Sequence, residues 1–184
     1  MQTKTKQNLF ALCESGIMIA FATVLSFIEI QLGANGGSIN FAMLPLLILA
    51  YRRGVIWAVP AGCAFGLIKC LIGGAIGWGL PSVLLDYVLA YGAVGLAGIF
   101  KGKKWAVEIG SFVGCFARYV ITVLSGVLVW TITAPTEVSF FGVIASPLLY
   151  SILYNVIYML PSSIGCIILM SALRPAFSRL EKFK

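Results

Sequence analysis

Apolar residues fill six long segments of the chain, and short polar or glycine-rich stretches separate these segments. A membrane-spanning helix needs about 20 mostly apolar residues, and most of the segments reach that length. We therefore predict six transmembrane helices, within residues 9–32, 39–51, 55–72, 81–100, 105–133 and 140–173.

Two segments depart from the length of a simple span. Segment 39–51 is short, so we expect its helix to be tilted within the bundle or to span the membrane only in part. Segment 140–173 is longer than a span requires. We expect Pro147 or Pro161 to shorten or kink it, and Pro175 to end it.

The basic residues between the segments indicate the topology. With the N-terminus in the cytoplasm, Arg52 and Arg53, the "KGKK" loop at 101–104 and residues 174–184 all lie inside. The loops on the other side, "GANGGS", "GGAIGWG" and "APTEVS", contain no Lys or Arg. Cytoplasmic loops carry an excess of these residues. The predicted fold class is therefore an all-α integral membrane bundle of six transmembrane helices. It forms one domain over residues 1–184 in the lipid bilayer, with both termini cytoplasmic.

Composition supports a membrane protein and argues against several other classes. The chain is 60% hydrophobic and 10% charged, with a mean hydropathy of +1.02, which is unusual for a soluble domain. The net charge of +7 lies mainly in loops without interleaved aromatic residues, so we expect no nucleic-acid partner. There is no histidine and no P-loop, and the five cysteines lie apart in apolar runs. We expect neither an enzyme nor a bound metal or cofactor.

Lys69, Asp86 and Arg118 lie inside apolar segments and are our candidates for buried charges. Charges within a membrane are costly and usually pair with one another or face a cavity. Two interpretations of Asp86 and Arg118 stay open at this point. They form a structural ion pair that locks two helices together, or they line a polar pocket that opens to the outside.

The fifth segment favours the pocket. Arg118, Thr122, Gly126 and Trp130 recur every four residues and form one stripe along a helix. A glycine on that stripe leaves room for a flat ligand, and a tryptophan offers a ring for stacking. The alternative is a glycine that packs two helices and a tryptophan at the membrane interface.

The sixth segment repeats the same spacing with aromatic residues. Tyr150, Tyr154 and Tyr158 are each four residues apart, and Asn155 lies among them. A side-chain amide in lipid needs a hydrogen-bond partner, so Asn155 is a further candidate for the pocket.

Five stretches, in order and spacing, resemble one family along nearly the whole chain. They read "ESGIMIAFATVLSF", "GGSINFAMLPLLILAYRRG", "PSVLLDYVLAYGAVGLAGIF", "ARYVITVLSGVLVW" and "LYSILYNVIYMLPS". The chain is similar to the thiamine-specific S-components (ThiT or YuaJ-like) of energy-coupling factor (ECF) transporters. The resemblance implies a six-helix bundle in the plasma membrane whose pocket binds thiamine from outside the cell with high affinity.

The family's ligand-binding positions fall largely on the residues already singled out. Carried over one by one, they are Asp86, Tyr87, Arg118, Tyr119, Gly126, Trp130, Tyr150 and Asn155. The chain departs from the family at three positions. Thr122, which we also expect at the ligand, replaces a histidine, and Gly36 and Asn40 replace an aromatic residue and a glutamate.

The resemblance also implies partners, namely the ECF transmembrane coupling subunit and two cytoplasmic ATPases. Gly16 and Ala20 form a small-xxx-small pattern at the position of the family's docking motif for the coupling subunit. Such a pattern allows a second helix to approach closely. The alternative is packing inside the same bundle.

Two other functions stay open. The chain could be an S-component for another small flat nutrient, such as a hydroxymethylpyrimidine. It could also be a stand-alone carrier driven by protons, with Asp86 as the titrating group.

Overall fold

The structure, a computed structural model, describes residues 2–32, 37–73, 79–133, 138–140 and 143–181, with side chains in 4–32, 37–73, 79–128 and 146–177. Within these residues the helices are α1 Gln2–Phe27, α2 Met43–Arg53, α3 Val55–Ile72, α4 Leu80–Phe100, α5 Ala106–Thr133 and α6 Pro147–Glu181. Two antiparallel hairpins join them: β1 (Ile30–Gln31) with β2 (Ser38–Ile39), and β3 (Val138–Phe140) with β4 (Val143–Ala145).

Five of the six described helices are long and apolar enough to cross a membrane. Their outer faces carry large apolar side chains, and Phe21, Leu71, Phe112 and Ile168 are each more than half exposed. Faces of this kind suit the acyl chains of lipid rather than water. The predicted all-α membrane bundle of six helices is therefore confirmed.

The remaining helix, α2, is the centre of the core. Its 11 residues reach only about 16 Å at 1.5 Å per residue, roughly half of the bilayer core, as its short apolar segment predicted. Met43, Leu46, Leu47 and Leu49 are each at most 1% exposed. Because α2 contacts all five other helices, its apolar side chains hold the bundle together.

The extended residues 37–41 lead into α2 and lie along α6. The backbone N–H of Gly37 donates to Tyr154 Oη at 3.0 Å, and that of Asn40 donates to Ser162 Oγ at 3.3 Å. Backbone groups inside a membrane need such partners because lipid offers none. The hydroxyls of α6 thus satisfy two backbone N–H groups of the segment that leads into α2.

Glycines allow α3 and α4 to approach each other closely. A β-carbon on Gly62 would collide with the backbone carbonyl of Tyr91, and one on Gly66 with the carbonyl of Tyr87. Neither carbonyl can move aside without shifting its helix. The two glycines thus fix the distance and the register between α3 and α4.

The winding of α4 changes along its length. It is a π-helix over Val83–Leu89 and a 3₁₀-helix over Gly95–Phe100. π-helical turns are rare and are often found at functional sites. Asp86 lies in the middle of the π-helical part.

The expectation that the last helix ends at Pro175 is wrong, since α6 continues to Glu181. Phe177 is 6% exposed and packs against the ring of Tyr51 in α2, with 5.0 Å between centroids. This contact holds the final turns in place despite the proline. Pro147 does shorten the predicted segment, because it is the first residue of the helix, a position that tolerates proline well.

Ion pairs gather at the end of the bundle that the sequence predicts to be cytoplasmic. Glu14 of α1 accepts hydrogen bonds from Arg52 and Arg53 at the end of α2. Arg174 of α6 donates to Glu108 of α5 at 2.7 Å. These pairs tie α1 to α2 and α5 to α6.

We expect Gly66→Ala to destabilise the bundle by about 1–3 kcal/mol, because the added methyl group meets a backbone carbonyl. Thermal unfolding in detergent measures the change. Gly16→Ala is the matched control, since no atom lies within 4 Å of a β-carbon at that position. Equal melting temperatures for the two variants would contradict close packing of α3 on α4.

Candidate ligand-binding site

Two serine hydroxyls hold the carboxylate of Asp86. Ser82 Oγ donates to Asp86 Oδ2 at 2.8 Å, and Ser125 Oγ donates to the same oxygen at 2.7 Å. Ser82 lies one turn earlier in α4 and Ser125 lies in α5, so the carboxylate joins the two helices. Both donors are neutral and therefore leave the negative charge of the carboxylate uncancelled.

Arg118 of α5 is buried, with 8% exposure, and its guanidinium lies 4.0 Å from the ring centroid of Tyr91 in α4. Tyr91 is itself fixed by an edge-on contact with Phe65, with 4.7 Å between centroids. The contact with the ring offsets part of the cost of burying the guanidinium. Arg118 Nε has no hydrogen-bond partner among the described residues, so a buried donor is left for a ligand.

The structure contradicts a direct ion pair between Asp86 and Arg118. In the described part of the chain no salt bridge includes Asp86, and Arg118 acts on it only electrostatically, from a distance. The physical reason is competition, because serine hydroxyls bind the carboxylate and the Tyr91 ring binds the guanidinium. Lys69, the third predicted buried charge, pairs with Glu29 instead.

Glu29 organises a second polar network at the opposite end from the Glu14 ion pairs. Lys69 Nζ donates to Glu29 Oε2 at 3.1 Å and Ser38 Oγ donates to it at 2.7 Å, while Asn40 Nδ2 donates to Ser38 Oγ at 3.1 Å. Burial alone raises the pKa of Glu29, but the bonds from Ser38 and Lys69 outweigh it and hold the pKa below its ordinary value. The network ties the β1–β2 hairpin to α3.

Asn155 of α6 finds its partners within the bundle, as a buried amide requires. Its Nδ2 donates to the carbonyl of Ser151 at 2.8 Å and to Ser151 Oγ at 3.2 Å, and its Oδ1 accepts a bond from the hydroxyl of Tyr158. Asn155 is 5% exposed. Its two donors are thus engaged within α6, and Oδ1 retains one acceptor position.

Gly126 packs α5 closely against α6. A β-carbon there would collide with Ser151 Oγ and lie 3.6 Å from Asn155 Nδ2. The Thr122 hydroxyl, one turn earlier, contacts a carbonyl of its own helix at 2.9 Å and Met159 Sδ at 3.1 Å. The stripe thus turns toward α6 after Arg118, and Gly126 lies where α5 packs against α6 and stays a predicted ligand-binding residue.

Three predicted tyrosines occupy different places. Tyr87 follows Asp86 in the π-helical part of α4 and is half-buried. Tyr119 Oη donates to the carbonyl of Ile152 in α6 at 3.3 Å. Tyr150 is buried and stacks on the next tyrosine of its helix, with 5.7 Å between centroids. The structure therefore places Tyr87 next to Asp86 in α4. Tyr119 contacts α6 from α5, and Tyr150 contacts another tyrosine of α6, its own helix.

The side chain of Trp130 and the whole of Gly36 lie outside the described residues. Sequence reasoning missed Ser82, Ser125 and Glu29. Ser82 precedes Asp86 by four residues, the spacing at which helical side chains meet. The sequence could therefore have predicted this partner. Ser125 and Glu29 act across helices, and no local pattern announces such contacts.

A polar cluster thus lies between α4 and α5, formed by Ser82, Asp86, Tyr91, Arg118 and Ser125. It combines a carboxylate held by neutral donors, a buried N–H group that lacks a partner, and an aromatic ring. A small flat cation that also carries hydrogen-bond acceptors matches this set of groups. The fold defines a multi-pass membrane protein, and the cluster is its candidate site for a small polar ligand.

Comparison with known proteins gives the family. The family described as "Thiamine transporter protein (Thia_YuaJ)" matches residues 12–182. The thiamine transporter ThiT of Bacillus subtilis is 30% identical over 96% of each chain, and that of Lacticaseibacillus paracasei is 30% identical over 70% of this chain and 72% of its own. A solved structure of ThiT from Listeria monocytogenes superposes with a TM-score of 0.80 at 29% identity, and covers 95% of this chain and 98% of that chain.

The chain belongs to the thiamine transporter family. It is accordingly a multi-pass protein of the cell membrane, and a transporter protein rather than an enzyme. Both statements agree with what the sequence predicted.

Glu29→Gln tests the network at the β1–β2 hairpin. The pKa of Glu29 is lower in the folded protein than its ordinary value of 4.5. Its contribution to stability is therefore present above that value and is lost as the pH falls through the folded pKa. We expect the wild type to be more stable than the variant by about 0.2–1 kcal/mol at neutral pH. Melting temperatures should converge once the pH has fallen through the folded pKa of Glu29, whereas a difference that persists when Glu29 is protonated would exclude its charge as the cause.

Proposed function

We propose that the chain is the S-component of an ECF-type transporter, the subunit that captures thiamine outside the cell. Membership of the thiamine transporter family supports thiamine as the vitamin, and two relatives carry the name thiamine transporter. The sequence contains no P-loop for ATP, so energy for uptake comes from partner subunits.

The observation that carries this proposal is the way in which Asp86 is held. Both serine bonds go to Oδ2, and no donor within the described residues reaches Oδ1. Thiamine contains a cationic thiazolium ring and a flat aminopyrimidine ring. A carboxylate in a low-dielectric site attracts the cation strongly, and Oδ1 can accept a bond from the amino group.

Arg118 supplies the complementary donor. Its Nε–H lacks a partner among the described residues, and a nitrogen of the pyrimidine ring can accept a bond from it. Because a buried donor without a partner is costly, the ligand gains affinity by satisfying it. Trp130, whose side chain is not described, stays a predicted stacking residue for one of the two rings.

The docking surface for the coupling subunit lies on the outer face of α1. Gly16 and Ala20 are both exposed, and no atom of the described chain lies within 4 Å of a β-carbon at Gly16. Packing within the same bundle therefore does not explain the glycine. Small residues on a lipid-facing surface allow a second membrane helix to approach closely, which suits docking of the ECF coupling subunit with its two cytoplasmic ATPases.

We expect Asp86→Asn to weaken thiamine binding by about 1–3 kcal/mol, because the variant loses a charged hydrogen-bond acceptor for a cationic ligand. Titration calorimetry on purified protein gives the dissociation constant. Glu108→Gln, which removes a carboxylate at the predicted cytoplasmic end, is the control and should bind normally. Hydroxymethylpyrimidine, which has no thiazolium charge, should bind more weakly than thiamine to the wild type. Tighter binding of that pyrimidine would instead make it the ligand.

We expect Gly16→Leu to bind thiamine normally but to lose uptake, because the larger side chain keeps the partner helix away. Binding is measured on the purified chain, and uptake in cells that contain the complete ATPase module. Normal uptake by the variant would remove this face of α1 as the docking surface. Uptake by the wild type in cells that lack the ATPases would favour a stand-alone carrier.

A further inference from the structure

The two serines that bind Asp86 differ from several other hydroxyl residues of the membrane helices. A serine or threonine within a helix commonly bonds to the backbone carbonyl one turn earlier. Ser15, Thr23 and Ser162 all do so here, at 2.8 to 2.9 Å. Ser125 instead donates across to α4. Its hydroxyl is thus committed to the carboxylate.

The two bonds fix the carboxylate more firmly than either bond alone would. Ser82 approaches Oδ2 from the first turn of α4, and Ser125 approaches the same oxygen from α5. Both serines are buried, with exposures of 6% and 0%, so water does not replace them. Two donors on one oxygen limit rotation of the carboxylate about its last bond and keep Oδ1 in one direction.

We infer that Ser82 and Ser125 are positioning residues that hold the carboxylate of Asp86 in one orientation and keep Oδ1 available to the cationic ligand. The inference rests on the proposed binding of thiamine at Asp86. Charged hydrogen bonds of this kind are stronger than neutral ones, and binding sites depend on groups whose orientation is fixed by their surroundings. The serines act through Asp86 and need no contact with the ligand themselves.

A double-mutant cycle tests the inference. We expect Ser125→Ala and Ser82→Ala each to weaken thiamine binding by roughly 5- to 20-fold in the wild-type background. In the Asp86→Asn background the same changes should alter binding by less than about twofold, because the group that they position is gone. Ser111→Ala is the matched control, since Ser111 is also a buried serine of α5, with 2% exposure, and it should bind normally.

Equal losses of affinity in the two backgrounds would show that the serines act through packing alone and would overturn the inference. Unchanged binding in the wild-type background would overturn it as well. Failure of Asp86→Asn to weaken binding, in a protein that does bind thiamine, would refute the role of Asp86 and the inference with it.

Infrared spectroscopy of the ligand-free protein tests the serines independently of thiamine. Asp86→Asn identifies the carboxylate band of Asp86 in the difference spectrum. Loss of Ser125 or Ser82 should shift that band or replace it with the band of a protonated acid, whereas Ser111→Ala should leave it unchanged. If the wild type binds no thiamine but the band responds in this way, the proposed ligand is wrong while the positioning of Asp86 stands. A band that does not respond to either serine overturns the positioning.

Discussion

A bilayer offers no water to a buried polar group, so each such group must find its partner within the protein. Asp86 meets this constraint with two hydroxyls and not with a cation. The choice has a functional effect. An ion pair with Arg118 would have to be broken before a cationic ligand could use the carboxylate, and breaking a buried pair is costly. Neutral donors support the same charge and leave it accessible.

The rest of the bundle follows from the same constraint. In the extended segment 37–41, the N–H groups of Gly37 and Asn40 donate to hydroxyls of α6. These two groups therefore need neither a helix nor water as a partner. α2 can be short because that segment precedes it, and a short helix can lie in the centre with its apolar residues almost completely buried. The polar cluster between α4 and α5 is joined to this core through Tyr91, which is buried in the core and contacts Arg118.

The sequence was sufficient for the number and approximate bounds of the helices, since each lies in an apolar run between polar or glycine-rich stretches, and for singling out Asp86 and Arg118, since charges stand out in such runs. It was insufficient for their partners. Periodicity places residues on a face of one helix but does not say which helix that face meets, so the contact of Gly126 with Ser151 could not be predicted. The predicted end of α6 at Pro175 is wrong for a similar reason. The contact of Phe177 with Tyr51 in α2 outweighs the local effect of the proline, and it cannot be read from one helix alone.

The contacts of segment 37–41 also determine when this part of the protein can reach its final structure during synthesis. The residues of α6 that bond to Gly37 and Asn40 come 117 and 122 residues later in the chain. A ribosome that has just released α2 into the membrane has not yet synthesised them. Until α6 is inserted, the N–H groups of Gly37 and Asn40 lack the hydroxyl partners that they have in the folded protein, although the β1–β2 hairpin can already form. The segment that leads into α2 therefore makes its final contacts only after the last helix has been inserted.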